Sequence, residues 1–337
     1  MVWGTFRLRP ATDPRLLVLI GEQLAVAPRK SADRLGKQAV TDHARQPLIT
    51  AEWPFVLSSR QATILLAARA AGETTIAVSL DLGLSATAVT LTPDRVVLPR
   101  DSWIGWDDLA LIADREEGCF AVRAPGVIER IGQFSEALSR HYSLYPTAGA
   151  PTILIAGFSM HRIKGTDPWQ DTLAKAHAAD PLRGRVLDTS TGLGYTAIEA
   201  ARTRGVEEVV TIELDPTTLT IARDNPWSRD LFTDPKIRQL IGDSYELVPE
   251  FPPESFSRII HDPPIFSLAG ELYSGVYYRE LFRLLRRGGK LFHYIGNLES
   301  KGSGGVARGV IRRLQESGFT RIERHPEAFG VVATKAR

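Results

Sequence analysis

Residues 184–215 read GRVLDTSTGLGYTAIEAARTRGVEEVVTIELD. A short apolar run ends in Asp188, a small-residue loop carries Gly192 and Gly194, and an alanine-rich amphipathic stretch follows. A second apolar run, rich in valine and isoleucine, then ends in Glu213. Continuous apolar strands joined through helices predict a parallel sheet covered on both faces. Glycines in the loop permit positive φ and close backbone approach, and the helix that follows presents free N–H groups. The segment Gly192-Leu193-Gly194-Tyr195-Thr196-Ala197 fits the G-x-G-x-x-A dinucleotide pattern, a weak signal when it stands alone.

Working outward, the same texture recurs. Further strands are expected over 237–243 (IRQLIGD), 257–262 (SRIIHD) and 289–296 (GKLFHYIG), with YTAIEAARTR and YYRELFRLLRR among the helices. The third strand ends in Gly242-Asp243. Asp188, Glu213 and Asp243 therefore reach one edge of the sheet, where ligands of open α/β folds bind. Glu213 lies 19 residues after Gly194, the offset at which an acid accepts ribose hydroxyls. One acid at a strand end is usually a cap; three in register are a set.

The fourth strand leads into IIHDPPIFSLAGELYS, residues 259–274. A buried strand that ends in Asp262, two prolines and Phe266 supplies a carboxylate, rigid carbonyls without competing N–H donors and an aromatic face. A carboxylate and a proline carbonyl can accept the N–H bonds of an acceptor nitrogen and stabilise its developing charge. The plainer reading is a strand terminator.

Before residue 150 the pattern differs. Residues 58–71 read as a helix stopped by Gly72; TTIAVSLDLG, ATAVTLTPDRVVLP and CFAVRAP read as short strands. SWIGWDDLALIADR and VIERIGQFSEALSRHY read as helices. The expected organisation is a poorly defined basic segment over 1–50, a small α+β domain over 51–150 and the α/β domain over 151–337. The chain of 337 residues is long enough for two domains. No apolar run reaches the ~18–20 residues of a membrane span. One cysteine, Cys119, excludes an internal disulfide and a multi-thiolate metal site. A reducing, cytoplasmic location, no metal and no membrane partner are expected.

The net charge of +2 is unevenly spread. The first 50 residues hold eight Lys/Arg against four Asp/Glu, and a second basic region runs through Arg279, Arg283, Arg286, Arg287, Lys290, Lys301, Arg308, Arg312 and Arg313. Either region could meet a polyanion; a solvated helix face is the plainer account.

From about residue 160 onward the chain resembles the class I, Rossmann-fold S-adenosylmethionine-dependent methyltransferases. The residues that carry the resemblance are Asp188, Gly192, Gly194, Glu213, Asp243 and the terminal helix–strand–turn–strand, VARGVIRRLQESGFTRIERHPEAFGVVATK. It implies a mostly parallel seven-stranded sheet with a reversed C-terminal strand, and S-adenosyl-L-methionine as cofactor. The expected cofactor set is Asp188, Thr189, Ser190, Gly192, Gly194, Glu213, Leu214, Asp243 and Ser244. Ser190 departs from the family, which has a glycine there. TGLGYTAIEA, HDPPIFSLAGELYS and MHRIKGTDPW together are similar to predicted archaeal-type methyltransferases with an Asp-Pro-Pro-x-Phe motif.

In methyltransferases that look like this one, acid-Pro-Pro-aromatic handles a planar nitrogen. Asp262, Pro263 and Phe266 are the expected catalytic set, and His161, Tyr273, His293 and Asn297 the expected substrate set. The leading expectation is N-methylation of a nucleic-acid base, RNA being the partner. Carbon-5 methylation of cytosine would need a thiolate, and Cys119 lies in the other domain. The alternatives are methylation of a protein side chain or small amine, and aminopropyl transfer to a polyamine. The last should show an acid-rich pocket, and the TSTGLG loop brings no extra acids. A non-catalytic binding module is the third class, against which the acid trio plus Asp262 argues.

Overall fold

The computed structural model describes residues 53–264, 266, 269–297 and 304–337. The expected basic segment 1–50, Ile265 and Lys301 lie outside the described residues. The described residues belong to one compact unit.

Seven strands build the principal sheet: β1 (Gly184–Asp188), β2 (Val206–Glu213), β3 (Ile237–Ile241), β4 (Phe256–His261), β5 (Leu285–Tyr294), β6 (Arg321–His325) and β7 (Gly330–Thr334). Their order is β3-β2-β1-β4-β5-β7-β6. The first five pair in parallel. β7 runs antiparallel to both β5 and β6, the single reversed strand that the sequence implies. β4 is buried along its whole length, as a strand covered on both faces must be.

The helices alternate with these strands. Pro168–Ala179 opens on Asp167, whose carboxylate accepts from the Trp169 and Gln170 amides with proline in the first turn. Tyr195–Arg202 follows β1, Pro216–Asp224 follows β2, Gly275–Leu284 precedes β5 and Gly304–Glu316 precedes β6. Asn225 stops the helix after β2, and Trp227 packs beside it with its indole N–H on the Leu82 carbonyl. Strand order switches direction at β1 and β4, so the cleft opens where Asp188 and Asp262 emerge.

Ahead of this sheet lie three small antiparallel sheets and the helices Ser59–Ala70 and Trp106–Ala113. One expectation fails here. Residues 127–142 are not a helix: Val127–Arg130, Gly132–Ser135 and Arg140–Tyr145 are strands. Ile128, Ile131, Phe134, Leu138 and Tyr142 recur at helical intervals, yet Pro125-Gly126 turns the chain and sets Ile128 opposite Val122 in a hairpin. The SWIG start of the other helix is likewise a strand, Ser102–Gly105. The third small sheet continues past residue 150 through Thr152–Ile155 and Phe158–Ser159. Tyr142 and Leu144 join the same buried cluster as Tyr195 and Ile198. Arg123 clasps Asp224 with both guanidinium nitrogens at 2.6 Å. No helix among the described residues is long and apolar enough to cross a membrane.

Candidate active site

The carboxyl ends of β1 to β4 place Asp188, Glu213, Asp243 and Asp262 along one edge. Asp188 is fully buried. Its carboxylate accepts from the hydroxyls of Thr211 (2.9 Å) and Thr196 (3.2 Å), which ties β1 to β2 and to the following helix. Burial pushes its pKa up to about 7 against these hydrogen bonds.

Glu213 is half-buried and accepts from the Gly192 amide (2.9 Å) and the Asp215 amide (3.1 Å). It thus fastens the glycine loop to the second strand; burial raises its pKa to about 7. Leu214, next in the chain, is 45% exposed. Asp243 caps the short helix Ser244–Leu247 through the Tyr245 amide, and Ser244 is buried beneath it.

In the loop itself, Gly192 (φ 53°) and Gly194 (φ 80°) take the left-handed conformation. A Cβ on Gly194 would lie 2.6 Å from Leu231, whereas one on Gly192 would meet open space. Ser190 does not need positive φ, which explains how serine replaces the family's glycine there without strain. The loop hydroxyls are largely spent inside. Thr189 is buried, with its hydroxyl 2.7 Å from His261 Nδ1, and Thr191 meets Thr211. Only Ser190 of the three is partly exposed.

Asp262 follows β4 and anchors a chain of buried charges that the sequence reading did not anticipate. Lys175 Nζ donates to Asp262 Oδ2 at 2.6 Å and lies 2.8 Å from Asp171 Oδ2. Arg162 donates to the other Asp171 oxygen at 2.9 Å. Lys175 and Asp171 are buried, while the Asp262 side chain keeps 21% exposure. The ammonium also sits 4.6 Å from the centre of the Tyr294 ring. Burial alone would lower the Lys175 pKa, but the charges of Asp262 and Asp171 hold it above its usual range. Burial raises Asp262, and Lys175 works against that rise.

The proline–aromatic stretch is arranged around Tyr273. Its hydroxyl donates to the Pro264 carbonyl at 3.0 Å, and Phe266, half-exposed, meets its ring edge-on at 5.4 Å. Pro263 is buried and Pro264 exposed. His161 bonds Thr152 (2.9 Å) and packs on Tyr195; burial, then the nearby Lys175 charge, pushes its pKa down to about 3, so it is neutral. Asn297 is exposed beyond β5.

His293 is placed differently from the expectation. It is fully buried, with Nε2 2.8 Å from the Tyr278 hydroxyl and Nδ1 3.3 Å from the His261 carbonyl, so the ring presents nothing to the cleft. His261 beside it is buried too, with the Leu272 carbonyl on Nε2. Cys119 is buried, and burial pushes its thiol well up, which removes it as a nucleophile.

Lys175 and Asp171 left one trace in the sequence: an acid and a lysine four apart on an alanine-rich helix, whose buried face also holds Thr172, Ala176 and Ala179. Such a pair usually marks a solvated face.

The comparisons agree with this architecture. Residues 167–286 match the family model described as "Conserved hypothetical protein 95". The polyamine aminopropyltransferase of Aeropyrum pernix is 29% identical over 166 residues, 47% of this chain and 51% of that protein; the chain thus spans about half of that relative's length. Among solved structures, a spermidine synthase in complex with the transition-state analogue AdoDATO aligns with a TM-score of 0.53 at 20% identity, covering 63% of this chain and 76% of the other. The fold is therefore spermidine-synthase-like. "Uncharacterized protein MJ1233" of Methanocaldococcus jannaschii is 49% identical over 208 residues, 60% of this chain and 71% of that one. The chain belongs to the same family as MJ1233.

Proposed function

We propose that this protein transfers an aminopropyl group from the sulfonium of decarboxylated S-adenosylmethionine to an amine nitrogen of a polyamine. The observation that carries the reading is Asp262. At the mouth of the switch-point cleft its carboxylate holds an alkylammonium, that of Lys175, against the Tyr294 ring. A carboxylate beside an aromatic face is what a polyamine nitrogen requires. Glu213 adds a second partly exposed carboxylate at the strand ends, while Asp171 and Asp188 are buried behind them. The likeness to the Aeropyrum pernix aminopropyltransferase supports the same group transfer.

The residues at the strand ends fit an S-adenosyl group. Gly192 leaves open space beside the Glu213 carboxylate, and Leu214 exposes an apolar side chain next to it. Glu213 would accept the ribose hydroxyls and Leu214 would cover an adenine face, with Asp243 at the third strand end. Lys175 fixes the Asp262 carboxylate through Oδ2. Asp262 then accepts a hydrogen bond from the acceptor amine and takes its proton as the nitrogen attacks the methylene carbon. The carbon–sulfur bond breaks, and the thioether leaves neutral.

N-methylation of an RNA base, the leading expectation from sequence, has no support from these relatives. The test is direct. The purified protein is incubated with either decarboxylated or intact S-adenosylmethionine and a panel of diamines and triamines, and the thioether product is identified by mass. Methylthioadenosine released with the decarboxylated donor is the expected result. S-Adenosylhomocysteine from the intact donor, with no turnover of the other, would replace aminopropyl transfer by methylation of an amine.

A further inference from the structure

The opposite edge of the sheet, where the parallel strands begin, carries a second cavity of about 330 Å³. It is lined by Arg183 before β1, Arg258 in β4 and Arg286 and Arg287 in β5, with Glu207 of β2 as its one carboxylate. Arg258 is the unusual member. It is 2% exposed in a strand whose other residues are Phe, Ser, Ile, Ile and His. One of its nitrogens donates to the Ser257 carbonyl at 2.6 Å, and its Nε is buried with no hydrogen-bond partner. Buried polar groups are hydrogen-bonded with few exceptions, and an exception asks for a reason. None of the four guanidiniums forms an ion pair with a described residue, although Asp180 lies close enough to act on Arg258 through space.

The backbone holds these groups together. A Cβ on Gly289 would lie 2.7 Å from the Arg286 carbonyl and 3.2 Å from that of Ser257. Only glycine lets β5 approach β4 so closely, and that approach brings Arg286 and Arg287 beside Arg258. Four guanidiniums and one carboxylate leave an excess of three positive charges around a cavity too small for a macromolecule to enter.

We propose that this cavity binds a phosphate-type oxyanion, either a free ion or the terminal phosphate of a nucleotide, with Arg258 at its floor. Guanidinium forks match the spacing of phosphate oxygens and donate two bonds at once. The site lies across the sheet from the transfer cleft and does not depend on the reaction assigned there.

Calorimetry of the full chain tests it, with inorganic phosphate, pyrophosphate and ADP titrated at constant ionic strength against a chloride control. Saturable pyrophosphate or ADP binding is expected, and tighter binding of ADP would identify a nucleotide as the source. Arg183→Ala and Arg287→Ala, both at exposed positions, should each weaken binding roughly tenfold, the scale of one charge-assisted contact. Glu207→Gln should strengthen it. Arg258→Met should abolish it, with the circular dichroism spectrum checked against the parent. No saturable binding, or affinities unchanged in the Arg183 and Arg287 variants, would overturn the assignment. So would an RNA oligomer that binds with a steep salt dependence through these arginines while pyrophosphate does not bind; the surface would then be a polyanion landing face.

Discussion

The two edges of the sheet each bury a cation, and they treat it in opposite ways. At the carboxyl edge Lys175 is enclosed by Asp171, Asp262 and the Tyr294 ring. At the amino edge Arg258 has a backbone carbonyl and an unused Nε. A buried charge with all its partners is part of the protein's own architecture. One left short of partners marks a place where the architecture is finished by something else. Removing one member of a completed pair leaves an uncompensated charge, whereas removing an unpaired charge removes a penalty.

The largest effect should therefore separate the two cations. Lys175→Met should lower unfolding stability by about 3–5 kcal/mol, because Asp262 loses its counter-ion and the buried Asp171 keeps only Arg162. Arg258→Met should leave stability within about 1 kcal/mol of the parent or raise it. Urea denaturation of the two variants side by side measures the contrast, and equal losses would erase the distinction.

A second variant examines the carboxylate that shares Lys175. Asp262→Asn keeps the shape and should cut turnover by at least ~100-fold, the scale for losing a positioned base. Binding of the S-adenosyl donor should hardly change. Near-normal turnover would reduce Asp262 to a partner for Lys175.

A smaller effect concerns pH. Asp188 and Glu213 both titrate near 7 in the folded protein, above their ordinary values of 3.8 and 4.5, because burial disfavours the charged form. For these two groups the folded state then holds more protons than the unfolded one between those limits, so the stability they contribute is fully present below pH ~4 and is lost as pH rises through about 7. Affinity for a cationic sulfonium donor should move the other way, rising as Glu213 ionises. Glu213→Gln should flatten part of both profiles in thermal melts and equilibrium binding. A Glu213→Gln variant that keeps the parent's full pH dependence between pH 5 and 8 would contradict the assignment of these carboxylates.

The smallest effect is expected at Cys119. Cys119→Ser should leave turnover unchanged, since the thiol is buried and held protonated; a dead variant would reopen thiolate chemistry.

What could be read from the sequence follows the range of the interactions. Asp188, Glu213, Asp243 and Asp262 each announce themselves locally, as an acid closing an apolar run, and the parallel sheet brings them to one edge. The helical intervals of Ile128, Ile131, Phe134 and Tyr142 misled because strand pairing with residues 119–124 outweighs local periodicity. Lys175 escaped because its partner Asp262 is 87 residues away, and nothing local distinguishes it from a solvated lysine. His293 follows an apolar run as a binding residue might, yet the fold turns its ring toward His261 and Tyr278. Arg258 could be seen as an arginine in an apolar strand, but its missing partner is a property of three dimensions.

The reversed strand has a consequence for how the chain reaches this state. Among the described residues β7 is the only sheet neighbour of β6, and it lies between β6 and β5. Until β7 arrives, β5 is an open edge of ten residues whose second half carries Leu291, Phe292 and His293, and β6 has no described strand to pair with. An unpaired apolar edge is a template for another chain, so the interval before β7 inserts is when the folding protein is most exposed to self-association. A pause or a lesion that delays those five residues would show first as aggregates rather than as a slow enzyme.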